Sequence, residues 1–112
     1  MKALKTAMMG LALMGLIFSL AYATGSAENG MILFNNPKLS GSMNDKSCNS
    51  CHPGGQGLAG ITEDPQWASA ANADDKLATV INQCITKALG GNDLSRDSEE
   101  MQDMIAYIKS LK

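Results

Sequence analysis

Five consecutive residues, Cys48-Asn49-Ser50-Cys51-His52, restrict this chain more than anything else in it. Two cysteines three positions apart, followed at once by a histidine, have the spacing by which haem is attached covalently to protein. Each thiol forms a thioether with one vinyl group, and the short spacing turns both sulfurs to one edge. The imidazole of His52, the only histidine in the chain, is left to bind iron. Three other readings fit less well. A redox dithiol wants a strand-to-helix context that the polar segment before Cys48 does not offer. A Cys₃His zinc site would need the adjacent Cys51 and His52 to reach one tetrahedral centre together with Cys48 and Cys84. A disulfide would leave Cys84 unpaired and His52 unexplained.

The start of the chain says where this chemistry is expected. Lys2 and Lys5 precede an apolar run from Ala7 to Ala21, and Ala21-Tyr22-Ala23 offers small residues at both positions of a cleavage site. Residues 1–23 read as a secretory signal peptide; the run is shorter than the roughly 20 residues of a spanning helix, the alternative being an uncleaved anchor. Residues 24–112 are then one exported domain. Export agrees with covalent haem, which is attached to reduced cysteines outside the cytoplasm, and a bacterial periplasm is the expected compartment.

Cleavage removes Lys2 and Lys5, so the basic count falls from 9 to 7 against 11 acidic residues, a net charge of −4. That balance argues against nucleic acid and against an anionic membrane surface, and points to partners with basic surfaces. A domain this small buries a limited core and commonly needs a staple. With Phe34, Trp67 and Tyr107 as the only aromatics after residue 23, the macrocycle itself is expected to fill much of the interior.

Helical signals follow the motif on both sides. Ser26 to Asn35 reads as a short helix capped by Ser26, in which Gly30, costing roughly 1 kcal/mol relative to Ala, suggests close approach of another helix. Asn35-Asn36-Pro37 ends it and a Ser/Gly/Asn-rich loop leads to Cys48. Beyond His52, the glycine-rich run Pro53 to Gly60 is irregular chain, either approaching a flat ligand closely or simply a surface loop. Trp67 stands alone in the next stretch, as a hydrogen-bond donor to a haem propionate or as apolar cover for the haem edge.

Leu77, Val80, Ile81, Cys84, Ile85, Ala88 and Leu89 form a helical stripe, with Asn72 as cap, Asp75 three residues on, and Gly90 as the stop. Cys84 therefore faces inward, as a small hydrophobe or as a thiol against the porphyrin. A last helix from Ser98 to Leu111 carries Met101, Met104, Ile105, Ile108 and Leu111 on one face, with Asp97 and Glu100 at capping-box spacing. No stretch alternates with period two. The expected fold is all-α, with three main helices around one covalently bound haem and a short helix carrying the motif.

Gly30 and Phe34 ahead of the motif, and Tyr107 in the last helix, resemble the crossing of first and last helices in class I cytochromes c. The resemblance covers the chain beyond the signal. It implies a cytochrome c-like fold, haem c bonded to Cys48 and Cys51, and His52 as proximal axial ligand. One departure matters. Class I members commonly take their sixth ligand from a methionine on the loop before the last helix, and Gly90 to Ser98 contains none. The stretch Ile81-Asn82-Gln83-Cys84-Ile85, with Leu89-Gly90-Gly91 and Asp97-Ser98-Glu99-Glu100-Met101, instead is similar to haem domains of thiosulfate dehydrogenases and related sulfur-oxidising cytochromes. That similarity implies Cys84 as sixth ligand, ahead of Met101 and of an open position.

The expected function is a periplasmic single-haem electron carrier, not an enzyme, docking transiently with redox partners. The alternative is a sulfur-compound oxidoreductase, or its electron-accepting subunit, with Cys84 as the reactive thiol. A third reading is a haem-based gas binder. Only Lys87 lies near Cys84 in sequence to guide an anionic substrate.

Overall fold

A computed structural model describes residues 25–68 and 73–112. The expected signal peptide and the Asn72 cap lie outside the described residues. Five α-helices are present among them and no strand: α1 Ala27–Phe34, α2 Cys48–Cys51, α3 Pro65–Ala68, α4 Ala73–Gln83 and α5 Glu99–Ser110. None is long and apolar enough to cross a membrane.

The first and last helices cross at glycine. A Cβ on Gly30 would run into the Asp103 carbonyl and come within 2.7 Å of Tyr107 Cβ, so only a residue without a side chain lets α1 approach α5 this closely. One turn on, Phe34 meets Tyr107 edge to face, with ring centroids 5.1 Å apart and planes at 62°, a pairing worth about 1 kcal/mol beyond burial. Ser26 caps α1 by accepting from the Asn29 N–H, and its own N–H donates to the buried Asp103 carboxylate at 2.7 Å. This bond gives the buried charge a partner and locks the entry of α1 to the middle of α5.

The α5 stripe is buried as expected at Met101, Met104, Ile105 and Ile108, with Tyr107 joining them and Leu111 half-buried. Its cap is Ser98, which accepts from the Met101 N–H at 3.2 Å, in place of the expected Asp97.

The third main helix divides its apolar stripe between two jobs. Leu77, Ile81, Ile85 and Leu89 are buried in the core with Phe34 and α5, whereas Val80, Cys84 and Ala88 are exposed on an open cleft. The helix also changes pitch. After Gln83 it continues as a π-helical turn, Cys84–Ala88, closed by the Leu89 N–H donating to the Cys84 carbonyl at 3.1 Å. The loop that follows is held by Asn82, whose amide donates to the Leu94 carbonyl at 2.9 Å and accepts from the Leu94 N–H at 2.8 Å. That pair seats the buried Leu94 beside the core.

Candidate functional site

The residues between the two motif cysteines shape the turn that presents them. Ser50 Oγ accepts from the Ser47 N–H at 3.0 Å, closing the start of α2, and Asn49 Oδ1 accepts from the Gly54 N–H at 2.8 Å, folding the chain back after His52. His52 ends α2, its N–H still donating to the Cys48 carbonyl at 3.0 Å. Its Nδ1 lies 3.0 Å from the Gln56 carbonyl oxygen. A carbonyl can only accept, so Nδ1 carries the proton and Nε2 keeps a free lone pair, the arrangement of a metal-binding imidazole. The turn Pro53–Gly55 that carries the chain from His52 to Gln56 uses left-handed backbone at Gly54 and Gly55. The glycines here therefore serve the turn that delivers the Gln56 carbonyl.

Cys48, Cys51, His52 and Cys84 open into one cleft with an empty volume of about 820 Å³ up to its mouth. Ser47 and α2 form one wall. Leu77, Val80, Ile81, Cys84, Ala88 and Leu89 form a second, and Leu58, Ile61 and Trp67 a third. Phe34, Met104 and Ile108 make the floor against the core. Cys51 and Cys84 are exposed, Cys48 and His52 half-buried, and no cysteine is in a disulfide. Burial pushes the Cys48 thiol up to about 11, helped by the negative charges that Cys84 and Cys51 carry when ionised, against a backbone hydrogen bond that lowers it.

The residues fit the cofactor that the motif implies. The cleft is wide and apolar, and among the described residues no three His, Cys, Asp or Glu groups converge to hold a bare metal ion. Thiols and an imidazole spread over the walls of such a cleft suit a large flat group carrying its own metal better than a zinc ion. Cys48, Cys51, His52 and Cys84 are the thiols and the imidazole that line the cleft.

Met101 does not share the cleft. It is fully buried in the core and the lining passes it by, while Met104 and Ile108, further along α5, make the floor. Met101, the alternative sixth ligand, thus lies outside the cleft that holds Cys84. Sequence reasoning missed Leu58 and Ile61 as cleft residues; their only signal was apolar side chains standing alone in a polar, glycine-rich stretch. Trp67 lines the cleft at its rim, half-buried, with Lys76 Nζ 4.7 Å from its ring centroid. The cation–π contact ties Trp67 to α4.

Comparison with known proteins bears on the same region. The family model for the SoxA/TsdA cytochrome c domain matches residues 29–111. No curated protein and no solved structure matches the chain.

Proposed function

The chain belongs to the SoxA/TsdA cytochrome c domain family, and from that premise we propose that it is a single-haem electron carrier of the periplasm in which Cys84, with His52, would hold the iron. The observation that carries the proposal is the single apolar cleft into which Cys48, Cys51 and His52 open from one wall and Cys84 from another. Haem c, when bound there, supplies a one-electron ferric/ferrous couple.

The chain's own residues do the rest. Cys48 and Cys51 tether the group by thioethers. His52 would offer Nε2, held in orientation by the Nδ1–H bond to the Gln56 carbonyl. As a thiolate, Cys84 would donate electron density and favour the ferric state, giving a low-potential centre. Val80, Leu58 and Ile61 would shield the bound group from water, and the open mouth of the cleft would leave room for a partner to approach.

A second reading rests on the exposure of Cys84. A thiol that solvent can reach can also meet a sulfur-compound substrate, which would make this chain an oxidoreductase or its electron-accepting subunit.

Optical and EPR spectra of the ferric protein, beside those of Cys84→Ser, test the ligand assignment. A thiolate signature that vanishes in the variant is expected, and spectra unchanged by the substitution would sink it. Cys48→Ala with Cys51→Ala should abolish covalent haem; haem extracted from the wild type by acid acetone would contradict the tether. Thiosulfate turnover with an artificial acceptor would favour the enzyme over the carrier.

A further inference from the structure

The end of the Cys84 helix is held from outside. The last carbonyls of a helix lack partners within it. Here Ile85 is served by the Gly91 N–H at 2.8 Å, but the final two are taken by a segment 44 residues upstream. Asn44 Nδ2 donates to the Ala88 carbonyl at 3.0 Å, and the backbone N–H groups of Met43 and Asn44 both donate to the Leu89 carbonyl at 3.1 Å. Gly90, at φ +71°, packs so closely that a Cβ there would sit 3.0 Å from Asn44 Nδ2. Leu89 is thus bonded on both sides, its N–H closing the π-helical turn onto the Cys84 carbonyl and its own carbonyl held by Met43 and Asn44.

Asn44 stands four residues before Cys48, and the chain between them bends through left-handed Asp45, φ +52°. Non-glycine residues adopt that conformation at some cost, so the bend marks a connection fixed by its surroundings. The segment that presents the motif cysteines and the turn that carries Cys84 are therefore joined by two backbone bonds and one side chain, that of Asn44.

We propose that Asn44 is the positioning residue for Cys84: it holds the π-helical turn to the strand of chain leading into Cys48, so that the thiol and the motif keep a fixed separation. As a statement about the iron, this rests on the assignment of Cys84 as ligand. A π-helical turn is an uncommon geometry with poorer local support than α-helix. Without its outside donors it relaxes toward α, and the sulfur shifts away from its place in the cleft wall.

The test compares the haem-loaded wild type with Asn44→Ala, Asn44→Asp and Asn92→Ala. Asn44→Asp keeps size and removes the amide donor. Asn92→Ala takes away the neighbouring side-chain bond, Nδ2 donating to the Ser40 carbonyl at 3.3 Å, and leaves the backbone bond beside it and the Ala88 and Leu89 carbonyls untouched. In both Asn44 variants the ferric EPR signature should split into two species. Exchange of the Leu89 amide should speed up roughly fivefold, the size expected for one lost hydrogen bond, while α5 amides stay at wild-type rates. Asn92→Ala should resemble the wild type in both readouts. Wild-type exchange and a single signature in Asn44→Asp overturn the proposal, as do equal effects from Asn92→Ala. If Cys84→Ser leaves the ferric spectrum unchanged, the ligand assignment fails by itself. The Leu89 exchange rate then decides the clasp alone, faster exchange upholding it and an unchanged rate removing it.

Discussion

At the scale of single residues, the cleft sets up three chemically identical thiols in different surroundings. Cys51 and Cys84 are exposed, whereas Cys48 is half-buried with its thiol pushed from 9.0 up to about 11 by desolvation first and by Cys84 next. A raised thiol value means that the folded chain holds this proton more tightly than the unfolded chain does. The stabilising contribution of the neutral thiol is whole below about pH 9 and is lost as the pH climbs through 11. In protein made without haem attachment, iodoacetamide at pH 8 should therefore modify Cys51 and Cys84 ahead of Cys48, because the thiolate is the reacting form. Mass spectrometry of the labelled peptides reads the order, and equal labelling of all three would contradict it. His52 shows the complementary device, a backbone carbonyl fixing which nitrogen is free.

At the scale of elements, the crossing of α1 and α5 bears the most strain-sensitive contact. Gly30→Ala adds a methyl that meets backbone, which cannot swing aside, so the small helix-propensity gain of alanine is outweighed. A loss of about 3 kcal/mol is expected, the upper part of the usual overpacking range, and urea unfolding of the haem-loaded protein measures it. A change within error of zero would mean that α1 slides freely along α5. This crossing was legible in the sequence, because Gly30, Phe34 and Tyr107 announce themselves as a gap and two rings. The helix limits were also legible, from Ser26 and the apolar periods. The π-helical turn was not. Val80, Cys84 and Ala88 keep an ordinary i, i+4 spacing, and the donors that meet the end of the wider turn arrive from the distant Met43 and Asn44. The Asp97 cap failed for a related reason: Ser98, one residue on, offers a hydroxyl close enough to accept from Met101 N–H, and two adjacent polar residues cannot be ranked by spacing alone. Salt bridges Lys109–Asp74 and Arg96–Asp75 add little to this scaffold, since exposed pairs contribute under about 1 kcal/mol.

At the scale of the whole molecule, the core and the cleft are two sides of the same three helices. Ile85 of the Cys84 helix serves the core alone, Val80, Cys84 and Ala88 the cleft, and Leu77, Ile81 and Leu89 both. The motif named the cofactor, the resemblance to sulfur-oxidising haem domains named Cys84, and the tertiary fold brought the motif and Cys84 to one cleft; Asn44 left no trace in the sequence because its side-chain partner lies 44 residues away. A further property follows from Trp67 at the cleft rim, the only tryptophan in the chain. Its indole emits, and a tetrapyrrole within the same cleft absorbs that emission. The protein thus carries its own loading gauge: Trp67 fluorescence should be bright in Cys48→Ala/Cys51→Ala protein and nearly dark in the haem-bearing form. Equal brightness in the two would place the cofactor elsewhere. Maturation could then be followed in real time by a lamp and a filter, with no label added.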